Sequence, residues 1–139
     1  LDKKEFKIMF ITLRGEVLPT AQATVSFKWA ELACKCGCRT AYVEEEALEK
    51  LQQLRDFLGK PITINSASRC PIHNAKVGGA PKSQHRSTET SPSTAFDISL
   101  SNLDKEEVIS AAKAVGFKGL GINYKTFVHV DNRDTLAIW

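Results

Sequence analysis

The stretch VEEEALEKLQQLRDFLGK constrains the fold more than any other part of the chain. Val43, Ala47, Leu48, Leu51, Leu54 and Leu58 recur at helical spacing, acids crowd the start, and Gly59 follows as a stop. A helix with one apolar stripe needs an apolar partner surface, and the rest of the sequence supplies short strands for it. PITINS, residues 61–66, carries Ile62 and Ile64 on one face, and TAFDISL reads as a second strand. LDKEEVISAAKAVGF predicts a second helix, opened by Asp104 with Glu107 in capping-box position and closed at Gly116. GLGINY, TFVHVD and TLAIW predict short strands joined by turns, and FKIMFITL (Phe6 to Leu13) one more, ended by Gly15 and Pro19. Helices and strands are mixed, with strands gathered at the end. The order predicts an α+β domain with a mainly antiparallel sheet rather than a doubly wound parallel one.

The 139 residues fit one domain, 1–139, large enough to bury a core without disulfides or metal merely to fold. With 42% hydrophobic and 25% charged residues, composition gives no reason to expect disorder. A net charge of +3 permits contact with an anionic polymer, but the basic residues are scattered along the chain instead of gathered on one element. The electrostatic footprint of a nucleic-acid binder is therefore missing. No apolar run approaches the length of a membrane span, and polar residues interrupt any would-be signal core in LDKKEFKIMFITLRGEV.

Three of the four cysteines lie in CKCGC (Cys34, Cys36, Cys38) and the fourth in SRCP (Cys70). Structural zinc sites usually pair cysteines as C-x2-C, and C-x-C fits that geometry poorly. Buried thiols near a turn, or one bridge between Cys70 and the first cluster, are simpler readings.

The three histidines are His73, His85 and His129. In TFVHVD a period of two sends Phe127, His129 and Asp131 to one face and Val128 and Val130 to the other. In AFDIS, Ala95, Asp97 and Ser99 share a face. A carboxylate on an otherwise apolar strand needs a partner, because an unpaired buried charge is very costly. Asp97, His129 and His85 from the preceding loop would make a three-ligand set with a fourth position left open, the pattern of a catalytic zinc site. Asp97 paired with Arg69 or a backbone amide, and histidines satisfied elsewhere, is the other reading of these residues.

INSASRCPIHNAKVGGAPKSQH, then AFDI, then GFKGLGINYKTFVHVD resemble the zinc-dependent D-Ala-D-Ala carboxypeptidase family, peptidase M15, in the branch common among bacteriophage proteins. The resemblance runs from FKWAELACKCGC to HVDNR and leaves about residues 1–24 uncovered. It implies the fold shared with the hedgehog signalling domain, bound Zn2+, and peptide stems of bacterial peptidoglycan as partner. It implies His85, Asp97 and His129 as metal ligands and Arg69 as the group that holds the substrate carboxylate or the developing oxyanion. Ser83 matches a serine that orients site or substrate, although a hydroxyl that merely turns the loop reads equally well. His73 matches a histidine outside the ligand pattern, and Gly78 and Gly79 fit a loop needing positive φ. The implied protein is phage or prophage encoded, so host cytoplasm, virion and cell envelope are all open as its location.

Two departures from the family pattern bear on activity. Asp97 stands twelve positions after His85 where the pattern has seven, so RSTETSPST carries five extra residues, and Ser93 replaces a glycine. Surface insertions cost little closure entropy, so both ligands still reach one ion, but a Ser/Thr-rich flap is expected to alter the substrate groove. Several relatives also carry a general base three positions before the last histidine, and here that residue is Thr126. Asp131 is the first candidate for that base, with a role in orienting a ligand as its alternative. Glu89, inside the insertion, is the second. The competing function is a non-catalytic module that keeps the fold and the metal but binds cell wall or a protein partner.

Overall fold

The computed structural model describes residues 21–38 and 40–139, and the strand expected over Phe6–Leu13 lies outside them. Four helices and five strands are present among the described residues: α1 (Trp29–Leu32), α2 (Glu45–Leu58), β1 (Ile64–Ser66), α3 (Pro71–Lys76), β2 (Ala95–Ser99), α4 (Lys105–Val115), β3 (Gly119–Gly121), β4 (Phe127–Asp131) and β5 (Ala137–Ile138). The fold is α+β.

The two long helices form where the spacing of apolar residues predicts them. α2 buries Ala47, Leu48, Leu51 and Leu54 and ends at Gly59, whose amide bonds the Arg55 carbonyl. Val43 is not part of the helix. It bridges Ser93, and the Glu44 amide bonds the Ser93 carbonyl at 2.9 Å, so sheet-like pairing claims the residues before the first turn. α4 buries Val108, Ile109, Ala111 and Ala112, and Asp104 caps it by accepting from the Glu107 amide at 3.0 Å. The Glu107 side chain pairs with Lys60 at 3.3 Å. Sequence reasoning had not anticipated α3, a six-residue helix with Cys70 as N-cap and Pro71 at its first position, where the missing N–H costs nothing.

The strands form one sheet in the order β1-β2-β4-β3-β5. β1–β2, β2–β4 and β4–β3 pair antiparallel, and β5 joins β3 in parallel. Alternation divides the two faces. Phe96 and Ile98 of β2, Val128 and Val130 of β4 and Leu120 of β3 are fully buried in the core with the apolar faces of α2 and α4. The same alternation turns Asp97, His129 and Asp131 to the opposite face. In the β2–β4 register Asp97 stands directly across from His129 and Ala95 across from Asp131. Two donors are thereby fixed on a rigid surface by the packing of their apolar neighbours.

Candidate metal centre

His85 joins this pair from the loop between α3 and β2. Its turn is closed by the Arg86 amide donating to the Ser83 carbonyl at 3.1 Å and by its own amide donating to the Ser83 hydroxyl at 3.2 Å. The imidazole points inward beside the sheet: Nε2 lies 3.0 Å from Asp97 Oδ1 and 3.2 Å from His129 Nδ1, which is itself 3.1 Å from Asp97 Oδ1. All three side chains are largely withdrawn from solvent.

The outer hydrogen bonds decide which atoms face inward as bare acceptors. His85 Nδ1 lies 2.8 Å from the Ala67 carbonyl, which can only accept, so Nδ1 carries the proton and Nε2 presents a lone pair. His129 Nε2 lies 2.7 Å from Asp131 Oδ2, so the proton sits there and Nδ1 presents the second lone pair. Two neutral imidazole lone pairs and a carboxylate oxygen thus converge within 3.2 Å. Such a cluster repels itself unless a cation joins it, and without a metal a proton shared between an imidazole and Asp97 takes that part. Zinc bonds of about 2.0–2.1 Å in tetrahedral geometry separate neighbouring donors by about 3.3 Å, close to the spacing found. The residues fit a small divalent cation with two nitrogens and one oxygen.

Asp131 lies behind His129, fully buried. The Arg133 guanidinium donates to it twice, from Nε to Oδ1 at 2.8 Å and from Nη2 to Oδ2 at 2.7 Å, its amide donates to Oδ1 at 3.2 Å, and His129 bonds Oδ2 as well. Burial pushes the Asp131 carboxyl up, but the Arg133 and His129 hydrogen bonds outweigh it and hold the group well below the usual carboxylate range. Burial likewise raises Asp97, and the bonds from His129 and His85 bring it down to about 2. For His129 burial acts downward, and Asp131 and Asp97 together raise it above its ordinary value. Gly119 makes room for this arrangement: a Cβ there would stand 1.9 Å from Asp131 Oδ1.

The profile described as Peptidase M15 matches residues 25–131, a segment that holds the whole cluster. The chain belongs to the peptidase M15 family. No curated protein matches it. M15 peptidases are zinc-dependent, and the donor set described above is a candidate for that ion.

The three donors line a cleft of about 440 Å³. Arg69 lines one side. Its Nη2 donates to Ser83 Oγ at 3.2 Å, its Nε is buried without a partner, and burial lowers its pKa against the pull of Asp97. Ser83 therefore ties Arg69 to the His85 turn. Tyr124, Phe127 and Trp139 form the other wall: Tyr124 stacks on Phe127 at 4.3 Å, Trp139 Nε1 donates to the Tyr124 hydroxyl at 3.0 Å, and Arg133 lies over the Trp139 ring. Sequence reasoning missed Arg133 and this aromatic wall. Arg133 follows Asp131 by two residues, a signal that was there to be read, whereas Trp139 arrives only because β5 lies beside β3.

Residues 86–94 do not line the cleft, so the flap expected from the insertion does not cover it. Both stems of the insertion are pinned. The Ser87 amide bonds the Arg69 carbonyl at 2.8 Å and its hydroxyl meets Ser68, while the Ser93 amide bonds the Tyr42 carbonyl at 2.7 Å. Between them Thr88 and Ser91 bond each other's backbone, leaving Glu89 exposed on the outer turn. His73 lies within α3 and outside the cluster. Of the paired glycines only Gly78 has positive φ, at 72°; Gly79 is needed for space, since a Cβ there would meet Asn74 Oδ1 at 2.2 Å.

Proposed function

We propose that this chain is a zinc-dependent peptidase acting on the peptide stems of bacterial peptidoglycan, as a D-Ala-D-Ala carboxypeptidase or a related endopeptidase of phage or prophage origin with a hedgehog-like fold. The observation that carries the reading is the convergence of His85 Nε2, Asp97 Oδ1 and His129 Nδ1 at the base of an open cleft beside Arg69. Zinc, when bound, supplies Lewis-acid polarisation of the scissile carbonyl and an acidified water. Arg69 presents a planar cation to the substrate carboxylate or to the charge developing on the carbonyl oxygen, and Ser83 fixes that guanidinium. Lys82 and Arg133 add positive charge to the lining, which favours a peptide with a free carboxyl end and so the carboxypeptidase branch of the proposal. The aromatic wall offers apolar surface to the remainder of the stem.

Asp131 acts in this reading as the residue that orients His129 and not as the base, because both of its oxygens are held and it lies behind the ring. One observation favours the non-catalytic module: Asp97 is the only carboxylate side chain lining the cleft among the described residues. Incubation with a synthetic stem peptide ending in D-Ala-D-Ala separates the two. Chelator-sensitive release of D-Ala, abolished in His85→Ala and His129→Ala, is expected of the peptidase. Zinc binding without any cleavage at high protein concentration would establish the binding module in its place.

A further inference from the structure

Three of the four cysteines lie within one five-residue stretch and the fourth comes from far along the chain, yet all meet in one place. Cys34 follows α1 and is buried, Cys36 and Cys38 occupy the turn after it, and Cys70 caps α3. All four sulfurs lie within 4.8 Å of one another. Cys34 and Cys36 are 3.5 Å apart, and Cys36 and Cys70 are 3.8 Å apart. A tetrahedral ion with zinc–sulfur bonds of about 2.3 Å holds its thiolates about 3.8 Å from each other. The sequence objection to C-x-C spacing is met by Gly37, whose φ of 97° lets the turn fold back so that three thiols point the same way.

Backbone amides also aim at the sulfurs. The Cys70 amide donates to Cys34 Sγ and the His73 amide to Cys70 Sγ, both at 3.4 Å, interactions that a thiolate accepts better than a thiol. Arg69 lies near enough to Cys34 to attract its thiolate, the form that a bound cation would have to stabilise, since burial pushes the free Cys34 thiol up to about 12. A single bridge would use two sulfurs and leave two crowded beside it. Four converging sulfurs are the donor set of a closed, structural site.

We propose that Cys34, Cys36, Cys38 and Cys70 form a second metal centre, a tetrathiolate site for zinc or another soft divalent ion, separate from the histidine cluster. Binding displaces the four thiol protons to solvent. With every position filled by protein the ion is structural: it clamps the turn after α1 to the residue next to Arg69. The backbone of Arg69 is already held on its other side by His85, whose carbonyl accepts from the Arg69 amide at 2.8 Å. The clamp thus fixes the Arg69 side of the cleft.

The test uses the full chain purified under reducing conditions. Wild type should hold two zinc ions per chain, the His85→Ala/His129→Ala variant one, and Cys36→Ser/Cys70→Ser only the ion of the histidine site. Cobalt replacement gives an independent reading, because a thiolate site produces an intense sulfur-to-cobalt charge-transfer band and a histidine–carboxylate site does not. That band should persist in the histidine variant. Should the cysteine variant fail to fold, alkylation of wild type decides the matter, with zinc expected to protect all four thiols. Absence of the charge-transfer band, thiols alkylated equally with and without zinc, or disulfides in anaerobically handled protein would each overturn the proposal. None of these readings depends on whether the chain cleaves a peptide.

Discussion

Replacing Gly119 by alanine should destabilise the protein through one contact, and the structure says which. The new Cβ would stand 1.9 Å from Oδ1, 2.2 Å from Cγ and 2.3 Å from Oδ2 of Asp131, all far inside van der Waals contact. Gly119 lacks the positive φ that would make alanine strained by itself. On backbone grounds alone the change should stabilise the strand by about 0.5–1 kcal/mol. Relief of the clash requires Asp131 to leave the place where it holds Arg133 and His129, and breaking a buried ion pair costs about 3–5 kcal/mol. The net loss should be about 2–4 kcal/mol, read by urea denaturation of chelator-treated protein. In an Asp131→Ala background the same substitution should cost nothing or stabilise slightly, giving a coupling of about 3 kcal/mol in a double-mutant cycle. Equal destabilisation in both backgrounds would refute the contact with Asp131 and, with it, the reason for a glycine at this position.

Other expectations follow from the same geometry. Asp131→Asn should weaken zinc binding about 10–100-fold, since an amide cannot accept from His129 and both Arg133 nitrogens at once; competition with a chromophoric chelator measures it. Stability of the zinc-free protein should fall in acid, because depressed carboxyl groups stabilise the fold fully above about pH 4 and lose that contribution as pH drops through their folded values, about 2 for Asp97. The raised pKa of His129 has the opposite sign for the metal: protons should begin to displace zinc at a higher pH than they would from an ordinary imidazole, as a binding titration against pH would record. Arg69→Lys should lower kcat/KM about tenfold, or about 1.4 kcal/mol, for a substrate with a free carboxylate, because a point charge replaces the fork. Glu89→Gln should leave cleavage unchanged, and a large loss would bring the insertion back into the chemistry.

Period-two alternation carried the most information in the sequence. It assigned Asp97 and His129 to one face, and the β2–β4 register then set them opposite each other. The stripe of leucines in α2 and the Asp104 cap of α4 were equally legible, since each depends on residues a turn or two apart. What escaped depends on contacts between distant segments. The meeting of the four cysteines is one such case, because Cys70 joins the others from thirty-four residues beyond Cys36. Asp131 reads as an acid on the donor face, but its position behind His129 and its hold on Arg133 are properties of the folded site. The insertion's direction was likewise set by Ser87 and Ser93 finding Ser68 and Tyr42, which no local pattern announces.

The donors His85 and His129 are forty-four residues apart, and Asp97 and His129 meet only through the pairing of β2 with β4. A one-residue slip of either strand would send its donor into the core and an apolar neighbour into the cleft. An ion bound there therefore adds its binding energy to the correctly registered sheet alone. Fraying of α1 or the insertion leaves that energy untouched, whereas separation of β2 from β4 forfeits it. Loading with metal should accordingly slow amide exchange most in β2 and β4, making the ion a lock on the register of the sheet.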